Sequence, residues 1–163
     1  MLAAIAAPAN AFADVLPGDH AIVPGVRIGA AELSPADQGA LTRVLGEPAR
    51  SERNGDHDYY QYGAEGSDQL RVDFDLVNDA PFEISTTSSN YRTQDGLGVG
   101  SSEAAIRARL GKPVCQGGSD TGAAVIAYSQ IWFSLAQGIV TRAAIRTRVS
   151  PGPLGGLVCH PLE

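Results

Sequence analysis

Residues 131–149, IWFSLAQGIVTRAAIRTRV, are the stretch on which the expected fold depends. In the first six residues, the odd positions carry Ile, Phe and Leu, whereas the even positions carry Trp, Ser and Ala. Gln137-Gly138 then provides a two-residue turn, after which small and apolar residues alternate with arginines. A period of two is typical of a strand with one buried face. The stretch therefore predicts an antiparallel hairpin.

Alternating patterns of the same kind come before this hairpin. Residues 58–62 contain three tyrosines, and residues 70–76 place Leu, Val, Phe and Leu on one face and Arg and Asp on the other. After a turn at Asn78-Asp79, Phe82 and Ile84 continue the pattern with a third strand, and residues 125–128 predict one more strand immediately before the hairpin. Each half of the chain is therefore expected to contain a three-stranded antiparallel meander.

A short helix is expected in front of each meander. In the first half, Ser34 is a natural N-cap, and the apolar positions 41, 44 and 45 form a stripe at helical spacing. In the second half, Ser101 or Ser102 caps a helix over residues 103–110. Both patterns favour helices of only two or three turns.

The tetrapeptide Leu-Gly-x-Pro ends both helices, at residues 45–48 and 110–113. A recurrence of this kind predicts a tandem repeat. We therefore expect an α+β fold, with tandem helix-plus-antiparallel-meander repeats forming one sheet with helices on one face. The expected divisions are a signal-peptide remnant (1–13), a lead-in (14–25), repeat 1 (26–88), a linker (89–97), repeat 2 (98–149) and a tail (150–163).

Residues 93–113, TQDGLGVGSSEAAIRARLGKP, resemble the helix signature of small bacterial envelope proteins of the SmpA/OmlA type. That family includes the small lipoprotein of the outer-membrane β-barrel assembly machine. Two such units in tandem also resemble the β-lactamase inhibitory protein fold, in which repeats form one concave sheet backed by helices. The resemblance implies a role as an envelope-assembly accessory protein or, alternatively, as an inhibitor of a secreted enzyme.

Two features favour export. Ala11-Phe12-Ala13 fits the small-x-small pattern that precedes signal-peptide cleavage, although an Ala-rich N-terminal helix is the alternative. Cys115 and Cys159 form an even count, which favours a disulfide in an oxidising compartment, although two buried thiols are the alternative. We expect a periplasmic or secreted protein without a transmembrane segment.

Composition and motifs do not favour a reaction, a cofactor or nucleic acid. A net charge of −6 over 163 residues argues against binding to a polyanion. The glycines of residues 96–100 are explained by a loop that leads into a helix. Asp56-His57-Asp58 lacks metal-ligand spacing, and His20 and His160 belong to no visible Ser/His/Asp arrangement. We therefore expect a non-enzymatic protein with no cofactor and no metal.

The remaining candidate is a binding surface. With a regular hairpin register, Trp132 shares a face with three arginines of the following strand, and Trp and Arg are frequent at binding hot spots. The alternative is that a loop or the tail covers Trp132. Aspartates and tyrosines of the earlier strands belong to the same question, with cross-strand ion pairing as the simpler account of the aspartates. The full set of surface candidates is Trp132, Arg142, Arg146, Arg148, Tyr59, Tyr62, Asp73 and Asp75.

The expected function is therefore binding to a protein partner in the cell envelope. Inhibition of a secreted enzyme is the first alternative. Binding of a small ligand, or hydrolysis, is the second.

Overall fold

The computed structural model describes residue 16 and residues 18–34, 37–63 and 70–162. The expected signal-peptide remnant at residues 1–13 lies outside these residues. A small three-stranded sheet contains β1 (Ile22–Val23), β2 (Arg27–Ile28) and β3 (Ala31–Glu32). The later elements are α1 (Gln38–Leu45), β4 (Arg50–Asn54), β5 (His57–Tyr62), β6 (Leu70–Asp75), β7 (Ala80–Thr86), α2 (Glu103–Leu110), β8 (Cys115–Gly118), β9 (Ala123–Ala127), β10 (Ile131–Ala136), β11 (Ile139–Ile145), β12 (Gly152–Leu154) and β13 (Leu157–Pro161).

Ten strands form the main sheet, in the order β12-β13-β8-β9-β10-β11-β7-β6-β5-β4. The strands β4 to β7 are consecutive neighbours, as are the strands β8 to β11. The two groups meet in the middle of the sheet, where β11 pairs antiparallel with β7 and Ala144 lies opposite Ser85. Side chains from distant parts of the chain are therefore neighbours at this junction.

The predicted α+β class with tandem helix-plus-meander repeats is wrong, because the protein is mostly β. Strands account for 46% of the structure and helices for 12%. The sequence pattern did not predict β4, whose residues are polar and exposed along the whole strand. An edge strand with no buried face carries no alternation, so periodicity cannot reveal it. Residues 150–163, expected as a tail, provide two more strands instead.

The two helices are short and capped. Asp37, and not Ser34, caps α1, because its Oδ1 accepts a hydrogen bond from the backbone N–H of Ala40 at 2.6 Å. Ser102 caps α2 by accepting from the backbone N–H of Ala105 at 3.2 Å. No helix in the described ranges is long and apolar enough to cross a bilayer.

The hairpin expected at residues 131–149 forms as β10 and β11, with one irregularity. Leu135 pairs with Val140 instead of Thr141, so the strand bulges near the turn. The bulge exchanges the two faces there, because Val140 is buried whereas Ile139 is 45% exposed. Beyond the bulge, the predicted alternation is restored only as far as Ile145, where β11 ends, so the expected continuation of the strand over residues 146–149 is wrong.

Each face of the main sheet has its own apolar cluster. The first face packs against the helices and the small sheet, with Phe74, Phe133, Leu41 and Ile106 in one continuous core. The second cluster is smaller and contains Trp132, Val125, Ala127, Ala144, Val149, Leu154, Cys115 and Cys159. The hairpin of β12 and β13 pairs with the sheet at β8 and also packs over the second face, where Leu154 and Cys159 join residues of β8 to β11 in this cluster.

The expected disulfide is confirmed. Cys115 on β8 and Cys159 on β13 are bonded, with their Cα atoms 5.4 Å apart. Both cysteines are almost fully buried in the second cluster. The bond therefore attaches the C-terminal hairpin to the sheet that it covers.

Candidate functional site

The part of the second face that contains β5 to β7 carries polar side chains. Cross-strand pairing aligns them, with Tyr59 opposite Asp73 and Gln61 opposite Arg71, and Arg71 opposite Ser85 on the next strand. We call this surface the polar half; its residues are Tyr59, Gln61, Arg71, Asp73, Asp75 and Ser85. It adjoins Arg142 of β11, which is next to Ser85 across the β7–β11 junction.

Glu83 is the centre of the charge network. Its side chain is only 4% exposed, and it accepts hydrogen bonds from Arg142 Nη2 at 3.1 Å and Arg146 Nε at 2.6 Å. Trp132 Nε1 donates a third hydrogen bond to it at 3.2 Å. A buried carboxylate is tolerated only when it is paired and hydrogen-bonded, and these three donors supply both conditions.

Arg71 and Asp73 form the second ion pair of the network. Arg71 Nε donates to Asp73 Oδ1 at 2.5 Å, and the guanidinium lies 4.2 Å from the centroid of the Tyr59 ring. Burial raises the pKa of the Asp73 carboxyl, because the loss of hydration outweighs the favourable hydrogen bond from Arg71. The pair therefore lies at the edge of a poorly hydrated region.

Arg142 lies within electrostatic reach of both buried carboxylates, Glu83 and Asp73. Its Nη2 donates both to Glu83 and, at 2.8 Å, to the Ser85 hydroxyl. Burial lowers the pKa of the Arg142 guanidinium, and the neighbouring carboxylates of Glu83 and Asp73 oppose that effect. The guanidinium stays charged, since arginine is not deprotonated in proteins.

The guanidiniums lie nearer the solvent than the carboxylates. The side chains of Arg71 and Arg142 are 39% and 25% exposed, whereas those of Asp73 and Glu83 are 7% and 4% exposed. A cavity of about 130 Å³ is lined by Arg71, Arg142, Ser85, Thr86 and Thr87. An anion approaching this cavity meets hydrogen-bond donors first, so the arrangement is suited to binding.

Three larger clefts lie elsewhere among the described residues, and in two of them the arginine of the lining is already paired with a carboxylate. In the cleft of about 470 Å³ beside α1, Arg27 donates to both carboxylate oxygens of Asp19, at 2.6 and 2.8 Å. In the cleft of about 570 Å³ at the β8 edge, Arg107 pairs with Glu103 at 2.8 Å. Within the described ranges, no group of three or more His, Cys, Asp or Glu side chains is placed to hold a metal.

The structure separates the sequence-predicted surface residues. Trp132 is 1% exposed under the C-terminal hairpin, and Tyr62 is equally buried on the opposite face, so neither is a surface residue. Asp75 binds the backbone N–H of Val77 at the end of β6, and Arg148 is exposed beyond β11. The network brings together four candidates: Arg142, Arg146, Asp73 and Tyr59, the last through Arg71.

Sequence reasoning missed Glu83, Ser85 and Arg71 as site residues. A signal was present, because the apolar residues at positions 82 and 84 alternate with Glu83 and Ser85. That alternation assigns Glu83 to the polar face of its strand. It does not indicate which strand lies next to it.

Solved structures with a similar fold include three bacterial proteins. An extracellular protein containing an SCP domain from Bacillus anthracis str. Ames matches with a TM-score of 0.51 and 9% identity, over 68% of this chain and 43% of that chain. A cysteine-rich secretory protein from Staphylococcus aureus subsp. aureus Mu50 matches with a TM-score of 0.51 and 12% identity, over 76% and 46%. The uncharacterized protein yfeY from Escherichia coli matches with a TM-score of 0.50 and 13% identity, over 80% and 99%.

These likenesses concern the fold. The chain spans less than half the length of the first two structures, and the identities are at most 13%. No protein-family model matches the sequence, and no curated protein matches it either.

Proposed function

We propose that this protein is exported and binds another protein through the polar half of its sheet. The observation that carries the proposal is the position of Arg71, which is stacked on Tyr59 and 39% exposed at the edge of a buried charge network. Tyr and Arg are the side chains that most often dominate protein interfaces. The network beneath Arg71 holds its guanidinium in place, which reduces the entropy that binding would cost.

Export is supported by three observations. The disulfide between Cys115 and Cys159 suits an oxidising compartment. Ala11-Phe12-Ala13 has the pattern of a signal-peptide cleavage site. Two of the structures with a similar fold are described as an extracellular protein and a secretory protein.

A specific observation also favours a second candidate function, the binding of a small ligand. The cavity between Arg71 and Arg142 has a volume of about 130 Å³ and is lined by side-chain donors. In that case the cavity is the site itself, and the surrounding polar half is its rim.

Photo-crosslinking in the cells that make the protein tests the first candidate. We expect Tyr59→benzoylphenylalanine to form one defined adduct with a partner protein. The control is Val44→benzoylphenylalanine, because Val44 is 50% exposed on α1, at the other face of the sheet. The adduct should disappear when Arg71→Gln is added, provided that the variant is folded. No adduct, or the same adducts from both positions, contradicts the proposal.

A further inference from the structure

We propose that the cavity between Arg71 and Arg142 binds a carboxylate group. A carboxylate is then the chemical group that the polar half recognises. Whether that group belongs to a protein partner rests on the proposed function. A side-chain carboxylate of a protein partner and a free small carboxylate share this chemistry.

Arg71 and Arg142 keep hydrogen-bond donors that the network does not use. Arg71 directs Nε and Nη2 to Asp73, and Arg142 directs Nη2 to Glu83 and Ser85. Within the part of the chain that the structure describes, Nη1 of each arginine has no acceptor. Both side chains line the same cavity. Two guanidiniums with unused donors are therefore available to the two oxygens of one carboxylate.

The charges of the network do not balance. Among the described residues, it contains three guanidiniums and two carboxylates, which leaves one positive charge on the solvent side of the buried carboxylates; its members are Arg71, Arg142, Arg146, Asp73 and Glu83. A monoanion neutralises that charge. A dianion such as sulfate or phosphate would instead leave one negative charge beside the buried carboxylates of Asp73 and Glu83, which is unfavourable. The charge balance favours a monoanion, and a carboxylate is a monoanion whose two oxygens can accept from two guanidiniums.

The cavity is small. Its volume of about 130 Å³ is well below the roughly 300–1,000 Å³ of ordinary small-molecule pockets. That space accepts a carboxylate with one or two attached carbons. It is too small for a nucleotide or a sugar, so the rest of a larger ligand would lie on the polar half.

NMR titration of the arginine Nε–Hε signals tests the site with sodium acetate as the probe. We expect saturable shifts of Arg71 and Arg142 that sodium chloride at the same ionic strength does not reproduce, and no shift of exposed Arg109. Arg71→Lys keeps a positive charge beside Asp73 but loses the planar fork, so acetate binding should weaken by about tenfold. Arg109→Lys is the matched control and should change nothing.

Two pentapeptides with blocked termini distinguish the sources. If Gly-Gly-Glu-Gly-Gly competes with acetate and Gly-Gly-Gln-Gly-Gly does not, the cavity takes a side chain of a protein. If acetate binds and the Glu peptide does not, the cavity takes a free small carboxylate. Both outcomes support the site.

Three results overturn the inference. They are the lack of saturable shifts at Arg71 and Arg142 with acetate and with the Glu peptide, tighter binding of sulfate than of acetate, and unchanged affinity in folded Arg71→Lys. The proposed function fails separately. Acetate binding without a crosslink at position 59 removes the protein partner and leaves the site. A crosslink without binding of either acetate or the Glu peptide removes the site alone.

Discussion

At the scale of single residues, Tyr62 places a polar atom in the main core. Its ring lies in the first apolar cluster and is 1% exposed, and its hydroxyl has no hydrogen-bond partner among the described residues. Burial raises the pKa of this hydroxyl to about 12, because the phenolate would lose its hydration. An unpaired buried hydroxyl costs about 1–3 kcal/mol, so a phenylalanine suits this position better.

We therefore expect Tyr62→Phe to raise the free energy of unfolding by about 1 kcal/mol, since the substitution removes the unpaired hydroxyl and keeps the ring. Urea denaturation followed by circular dichroism measures the change. Tyr59→Phe is the control, because Tyr59 lies half-buried on the other face of the sheet. The free energy of unfolding of this variant should change little. A loss of stability in Tyr62→Phe would show that the hydroxyl has a partner after all.

At the scale of elements, the hairpin of β12 and β13 decides whether Trp132 is a core residue or a surface residue. Its turn consists of Gly155 and Gly156, which have φ values of 57° and 84°. A Cβ on Gly155 would lie 2.9 Å from Cζ3 of Trp132 and 2.6 Å from the Ser134 hydroxyl oxygen. The turn therefore packs directly on the tryptophan, and only glycine leaves room for it.

Gly155→Ala should lower the free energy of unfolding by about 2–3 kcal/mol, because it adds a steric overlap with Trp132 to the left-handed backbone strain. Gly156→Ala is a matched control, since a Cβ there meets nothing within 4 Å. It should lose only about 1 kcal/mol, from backbone strain alone. Chemical denaturation with Trp132 fluorescence measures both variants. Equal losses would mean that the turn does not press on the ring.

At the scale of the whole molecule, the disulfide holds the hairpin of β12 and β13 on the second face of the sheet. Cys115 and Cys159 are separated by 44 residues, and β13 pairs with β8 through His160 opposite Gln116 and Pro161 opposite Cys115. Closing a loop of this length stabilises the folded state by about 4 kcal/mol through the entropy of the unfolded chain. The bond therefore supports the burial of Trp132 from a distance.

Replacing both cysteines, Cys115→Ser with Cys159→Ser, should lower the free energy of unfolding by about 4 kcal/mol. If the hairpin also detaches, Trp132 emission should move to longer wavelength in the folded protein. The wild type, measured before and after its disulfide is reduced, provides the comparison. If the free energy of unfolding falls by less than about 1 kcal/mol, the pairing of β13 with β8 holds the hairpin in place without the disulfide.

Several elements were predictable because their signals are local. The hairpin as far as Ile145, the end of α2 at Gly111 and its cap at Ser101 or Ser102 depend on neighbours within a few positions. The bulge at Thr141 was not predictable, since a shifted register leaves the alternation of residue types unchanged. The polar strand β4 was not predicted for the related reason that both of its faces are exposed.

The sequence by itself determined which residues alternate along each strand, where both helices end and which two cysteines were available to pair. The tertiary structure alone decided which part of the second face is covered and which charges meet. Glu83 binds Trp132, Arg142 and Arg146, which follow it by 49, 59 and 63 residues. Alternation assigns a side chain to a face but not to a neighbour, because the neighbour depends on which strands pair. The pairing of β7 with β11 therefore created the charge network and the cavity above it.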